Sequence, residues 1–215
     1  MSEPSIIGLS GLKGSGKDTV AKHLELYYGF KVLSFAGALK DITSSLFSLN
    51  RDNLEGDTEE SREWRDSYIH LGSGKTPRQL LQDVGVAMRR VDPDIWVNYV
   101  KSQMYPCINR RPVVVTDVRF VNEMDMILAR GGQIWRIEPA AKDLPLWYSA
   151  VQASDIDYRA GTTPYHLDSL TKEHISETLL SLPTAKASMA VTIHNDGTLE
   201  QLYQRVEQSY YGRNN

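Results

Sequence analysis

The stretch SIIGLSGLKGSGKDTVAKHLELYY, residues 5–28, constrains this chain more than any other part of it. A short β-branched run, SIIGLS (5–10), leads into a glycine-rich loop in which Gly11, Gly16 and Lys17 keep the spacing G-x-x-x-x-G-K. KDTVAKHLELYY (17–28) then places Val20, Ala21, Leu24 and Tyr28 at helical spacing, with Gly29 to close the helix. A loop between strand and helix turns backbone N–H groups and the positive end of the helix toward one point, and Lys17 adds a mobile charge. This is a cradle for phosphate, and it requires a helix that returns over a strand. Gly11, Lys13, Gly14, Ser15, Gly16, Lys17 and Thr19 are therefore candidate nucleotide-binding residues.

A second string, GSGKT (72–76), looks more regular because its lysine is followed by threonine. The position five before Gly74 is Ile69, however, and no strand precedes it. Thr76-Pro77 reads as the cap and first residue of the helix TPRQLLQDVGVAMRR (76–90). The second string is expected to be a helix-entry loop. In the first loop the residue after the lysine is Asp18. A carboxylate about 4 Å from one phosphate charge costs about 4 kcal/mol at an effective dielectric near ~20. Asp18 must face a metal ion or a basic side chain, or point away, and it also favours the positive helix N-terminus. Thr19 is a substitute hydroxyl.

Strand and helix patterns alternate along the rest of the chain. KVLSF (31–35), PVVVTD (112–117), QIWRIEP (133–139) and MAVTIHNDG (189–197) read as strands. ALKDITSSLF (38–47), DPDIWVNYVKSQM (92–104), NEMDMILARGG (122–132) and TLEQLYQRVEQSYY (198–211) read as helices. Residues 50–75 are polar and read as loop, with one helix around Ser61–Leu71. The β-branched run after Pro112 suits a strand buried on both faces of a parallel sheet. Residues 140–172 have no sustained period and form a lid candidate, with Arg159 inside it and Lys142 and Lys172 near its ends.

At 215 residues the chain is expected to make a single domain. A net charge of -3 argues against a partner that is a nucleic-acid polymer. One cysteine, Cys107, excludes an internal disulfide and points to a reducing compartment. With no membrane-length apolar run and no secretory signal, the expectation is a cytoplasmic protein with no membrane partner.

Several blocks, in order, resemble the deoxynucleoside monophosphate kinases of tailed bacteriophages. They are SGLKGSGKDTVA (10–21), FAGALKD (35–41), RQLLQDVG (78–85), DIWVNYV (94–100), VVTDVRFVNEMD (114–125), HISE (174–177) and IHNDGTLEQLY (193–203). The resemblance implies a P-loop NTPase fold: an αβα three-layer sandwich around a mainly parallel sheet, with a lid or acceptor-binding insertion. The acceptor region would be about 36–105 and the lid about 140–172. It implies transfer of the terminal phosphate of ATP, with Mg²⁺, to a deoxynucleoside monophosphate, in the host cytoplasm if phage-encoded. Family members are often homodimers, although no interface is legible here. Residues 50–75 are shorter, and 140–172 longer, than the family pattern.

On that resemblance Lys40 matches a lysine that meets the monophosphate, and Gly85 falls in the acceptor-binding block; a solvated helix lysine is the alternative at position 40. Arg78 and Gln82, four apart on one helix face, can grip a phosphate and hydrogen-bond a base or sugar, or be an ordinary surface pair. Trp96 is either an aromatic wall for the base or a core residue. Asp117, at a strand's carboxyl end, can hold Mg²⁺ or cap the next helix. Arg119 can reach a phosphate or pair with Asp117. A lid cation is expected from Arg159, Lys142 or Lys172, and Asn195 either borders the adenine or belongs to a turn. His174 and Glu177 read as a hydrogen-bonded structural pair rather than a metal site. A kinase with a hydroxyl acceptor would want a carboxylate base, for which Asp18, Asp41 or Asp117 would serve. An ATPase that performs no transfer is the third reading.

Overall fold

The computed structural model describes residues 5–160, 166–167, 170–171 and 173–212. The chain divides into two compact units, residues 1–33 with 101–215, and residues 34–100.

The first unit is built on a five-stranded parallel sheet in the order β2-β3-β1-β4-β5. The strands are β1 (Ile6–Gly11), β2 (Lys31–Ser34), β3 (Val113–Thr116), β4 (Gln133–Pro139) and β5 (Val191–Asn195). β1 lies at the centre, its register set by Ile7 beside Val114 on one side and Leu9 beside Trp135 on the other. Alternation along β1 divides its side chains between two faces. Ile7 and Leu9 pack with Val114, Trp135, Ile137 and Ile193 beneath α1 (Lys17–Tyr28) and the C-terminal helix, Leu199–Tyr211. The helix Val121–Leu128 packs on β1 and β4, with Met124 and Ile127 buried. Trp135 is fully buried and donates its indole N–H to Gln133 Oε1 at 3.1 Å, which satisfies the one polar atom it brings inside. With β3 on one side of β1 and β4 on the other, the carboxyl end of β1 is the kind of switch point where open α/β sheets bind ligands.

The second unit carries α2 (Phe35–Phe47), α3 (Glu59–Ser67), α4 (Pro77–Val91) and the start of α5 (Ile95–Met104). Leu49, Leu54 and Leu80 form a small core with Phe47, Trp64 and Leu81 against it. Thr76 caps α4 by accepting from Gln79 N–H, while the Gln79 side chain accepts from Thr76 N–H. α2 starts three residues before the expected Ala38 because Ser34 caps it, its hydroxyl accepting from Ala36 N–H at 3.1 Å. α3 starts at Glu59 through a Thr58–Ser61 capping box. The GSGKT string is a turn: His70 N–H donates to Lys75 O at 3.0 Å and Gly74 N–H to His70 O at 2.8 Å. It precedes α4 and follows no strand, as its spacing implied.

The described part of the lid candidate is tied down. It holds a 3-10 turn (Ala141–Asp143) and the helix α7 (Tyr148–Gln152), continuing toward α8 (Ile175–Thr178) and α9 (Pro183–Lys186). The Tyr148 hydroxyl donates to Glu138 at 2.8 Å, Lys186 pairs with the same carboxylate at 2.6 Å, and Tyr158 N–H donates to Thr184 Oγ1 at 3.2 Å. The expected lid is therefore, through residue 160, a packed segment with buried anchors at Tyr148, Val151 and Tyr158. Residues 161–165, 168, 169 and 172 of that expectation, Lys172 included, lie outside the described residues.

Candidate active site

The loop between β1 and α1 is shaped by two close backbone approaches. A Cβ on Gly11 would lie 2.4 Å from the Ile137 carbonyl oxygen and 2.6 Å from Ser15 Oγ. Gly16 has φ +97°, and a Cβ there would lie 2.6 Å from Asn195 Nδ2. As the cap of α1, Gly16 has no side chain to close the first turn, so the amides there are presented to the loop. Ser15 is fully buried and its hydroxyl has no hydrogen-bond partner among the described residues. A cradle that only glycine can line, with an orphaned hydroxyl in its wall, fits a polyphosphate. Gly16→Ala is expected to weaken ATP binding about tenfold or more in an equilibrium titration, since the left-handed φ costs a Cβ about 1–2 kcal/mol.

Asn195 stands at the end of β5 and donates Nδ2–H to Ser15 O at 3.0 Å. It buttresses the loop backbone. The Lys17 ammonium, 6% exposed, donates to Leu12 O at 2.9 Å. Burial, and then the neighbouring Arg119 charge, push Lys17 below the ordinary lysine range, while Asp117, Asp18 and Glu177 act in the opposite direction. Lys13, Gly14 and Asp18 are exposed and Thr19 is half-buried.

Asp117 follows β3 with φ +60°, a left-handed conformation that only glycine, asparagine and aspartate visit readily. Val118 N–H donates to Leu9 O at 3.1 Å, which fixes the turn beside the end of β1. The Arg119 guanidinium places Nη1 2.9 Å from Glu177 Oε2 and donates from it to Ser176 O at 3.0 Å, with Nη2 3.7 Å from Asp117 Oδ1. Burial opposes its charge, but Glu177 and Asp117 outweigh that and hold its pKa above the ordinary arginine value. Glu123, 1% exposed, accepts from the backbone amides of Arg119 at 2.8 Å and Phe120 at 3.1 Å. Lys17, Asp18, Asp117 and Arg119 are thus within one electrostatic neighbourhood.

Sequence reading missed Glu123, and it paired Glu177 with His174 rather than with Arg119. Glu123 could have been found as the N3 acid of a helix whose cap, Phe120, has no accepting side chain. Glu177 gave no local signal for its role. His174 caps α8, its Nδ1 accepting from Ser176 N–H at 3.2 Å and its carbonyl from Glu177 N–H at 2.8 Å. The Glu177 carboxylate instead extends to Arg119.

Arg159 is held by an ion pair. Its two amino groups donate to Asp125 at 3.0 and 2.7 Å, and its guanidinium lies over the Tyr158 ring. This cation is held by Asp125, in the helix Val121–Leu128.

In the second unit Lys40 donates to Glu55 Oε2 at 2.5 Å, and Arg51 pairs with both Glu55 and Asp41. Lys40 is 12% exposed, so it is not a solvated helix lysine. Arg78 pairs with Asp66 through Nε, while its buried Nη2 has no hydrogen-bond partner among the described residues. Gln82 is half-buried on the same helix. Gly85 is buried where a Cβ would stand 3.4 Å from Leu39, so it is a packing position between α2 and α4. Trp96 is 3% exposed, which is the core role left open by its pattern and not an exposed stacking wall.

No family model matches the chain. The "Putative deoxynucleotide monophosphate kinase" of Acanthamoeba polyphaga mimivirus is 35% identical over 145 residues, which is 62% of this chain and 73% of the relative. The chain belongs to the deoxynucleotide monophosphate kinase family. It is an ATP-dependent phosphotransferase with a P-loop kinase fold. The crystal structure of TT1252 from Thermus thermophilus has this fold, with a TM-score of 0.50 and 17% identity over 99% of this chain and 98% of that one. Dephospho-CoA kinase from Campylobacter jejuni matches with a TM-score of 0.47 and 12% identity, over 95% of this chain and 94% of that one. No helix among the described residues of the kinase is long and apolar enough to cross a membrane.

Proposed function

We propose that the kinase transfers the terminal phosphoryl group of ATP to the phosphate of a deoxynucleoside 5′-monophosphate, giving ADP and the diphosphate, within viral, phage-type nucleotide metabolism. The observation that carries the reading is the assembly of Lys17, Asp18, Asp117 and Arg119 around the phosphate loop of a chain in this family. An acceptor phosphate is largely a dianion at pH 7, with its second pKa near ~6. Its oxygen attacks the γ-phosphorus as the bond from that phosphorus to the β,γ-bridging oxygen breaks, and no proton need move. Of the carboxylates that a hydroxyl acceptor would want as a base, Asp41 pairs with Arg51 and Asp117 lies 3.7 Å from Arg119.

The loop amides and Lys17 hold the ATP phosphates, and Arg119 supplies charge to the moving group. Lys40 and Arg78 are assigned to the acceptor phosphate, the latter through its unsatisfied Nη2, with Gln82 beside it for the sugar or base. Among the described residues there is no cluster of three or more metal-ligating side chains. Magnesium is commonly held by one or two carboxylates together with substrate phosphates, and the oxygen donors of Asp117 and Asp18 fit that role. Bound Mg²⁺ would neutralise charge on the β- and γ-oxygens. Homodimerisation is a further proposal, tested by sedimentation.

The experiment is ADP release from Mg-ATP across the four deoxynucleoside monophosphates, with dephospho-coenzyme A and free nucleosides as controls. Turnover is expected with one or more monophosphates and not with the controls. Turnover only with a hydroxyl acceptor would overturn the reading, as would hydrolysis independent of any acceptor.

A further inference from the structure

We propose that Glu177 is a positioning residue: it holds the Arg119 guanidinium off Asp117, so that Asp117 serves the metal–nucleotide and not the arginine. The inference rests on the assignment of Asp117 to Mg²⁺ and of Arg119 to the transferring phosphate.

Arg119 is two residues beyond Asp117, on the same connection after β3, and the two make only a long ion pair. The nearest approach is 3.7 Å, outside hydrogen-bond range, whereas Nη1 is 2.9 Å from the Glu177 carboxylate and 3.0 Å from the Ser176 carbonyl oxygen. The arginine is also fixed at its root, because Glu123 accepts from its backbone amide at 2.8 Å. With the root held, the direction of the guanidinium is set by what grips its far end, and α8 supplies both grips. Glu177 is 19% exposed, so this pair is shielded from screening more than a surface bridge is.

The charge balance gives the contact a consequence. Lys17 and Arg119 share the site with four carboxylates, Asp18, Asp117, Glu123 and Glu177, two cations against four anions. If Glu177 loses its charge, the counter-ions left to Arg119 are Asp117, on its own loop, and Glu123, whose carboxylate is already held by the Arg119 and Phe120 backbone amides. A guanidinium closed onto Asp117 competes directly with a divalent cation for the same oxygens. Glu177 therefore acts on metal binding through Arg119, without itself being a ligand.

The test is calorimetric titration of ATP, with and without Mg²⁺ and in the absence of acceptor, into wild type, Glu177→Gln, Arg119→Gln and the double variant. Glu177→Gln is expected to weaken Mg-ATP binding by about tenfold while leaving Mg-free ATP binding unweakened, which is the size of effect usual for groups that orient metal ligands. In turnover assays its Mg²⁺ midpoint should rise by a similar factor, with rate recovered at high Mg²⁺. In the Arg119→Gln background the same change should have no effect on the Mg²⁺ midpoint. A Glu177→Gln shift that is equal with and without Mg²⁺, absent, or retained without Arg119 overturns the inference. Glu177→Asp, which keeps the charge at shorter reach, should show a smaller version and carries the test if the glutamine variant does not fold. Asp117→Asn separates the two levels: an unchanged Mg²⁺ dependence there would remove the underlying assignment, whereas a changed one beside an unaffected Glu177→Gln removes only the role of Glu177.

Discussion

Lys17→Ala is expected to lower kcat/KM for ATP by at least about 100-fold, the size typical of losing one preorganised charge at a transferring group. The fold should survive. The ammonium is buried and donates to the Leu12 carbonyl oxygen, so truncation removes a hydrogen bond worth about 1 kcal/mol. It also removes the cost of burying a charge, which is what depresses its pKa. These effects oppose one another, so the melting temperature should change little while turnover is lost. A variant that melts like wild type and turns over within tenfold of it would refute the phosphate-loop assignment. The depressed pKa adds a pH signature. As pH rises, Lys17 loses its proton earlier than an ordinary lysine, so ATP binding should weaken on the alkaline side below the usual lysine range. Lys17→Arg, whose guanidinium stays charged, should flatten that limb.

Local signals made most of the first unit legible. α1 begins and ends where Lys17, Tyr28 and Gly29 imply, and Gly29 is left-handed at φ 69°. β4 matches QIWRIEP end to end, because a buried strand bounded by Gly132 and a polar connection has little freedom in its limits. The false GSGKT loop could be rejected from context alone, since a phosphate cradle needs a strand before it as well as a helix after it. Errors came where a short polar side chain decided the outcome. Ser34 stops a strand and starts a helix, but SFAG reads equally well as the end of KVLSF. The short helices around residues 175–186 were missed because they have less than two turns in which to show a period.

The site was legible in its residues and not in its partners. Lys17, Asp117 and Asn195 were found because each follows a strand, and parallel strands bring their carboxyl ends to one edge. What each side chain meets is a long-range fact. Asn195 supports Ser15, Arg159 pairs with Asp125, and Glu177 arrives at Arg119 from a separate helix. Gly85 and Trp96, which a family block pointed to, are both buried in α4 and α5.

Asp117→Asn should separate charge from conformation at the end of β3. Asparagine tolerates the left-handed φ of +60° almost as well as aspartate, so the backbone turn and its Val118–Leu9 hydrogen bond should persist. The melting temperature should therefore stay near that of wild type. Mg-ATP turnover should fall by about 100- to 1,000-fold, since an amide is a weak Mg²⁺ ligand and a neutral one. Asp117→Ala should lose the same activity and also about 1 kcal/mol of stability, the cost of placing a β-carbon with no local hydrogen bond in that region. The negative charge also supports the Lys17 ammonium, so removing it should move the alkaline loss of ATP binding to lower pH. A metal ligand accounts for lost turnover and a lost Mg²⁺ dependence together. A mere turn residue predicts neither in the asparagine variant, so an Asp117→Asn enzyme with wild-type turnover would return Asp117 to the status of a backbone corner.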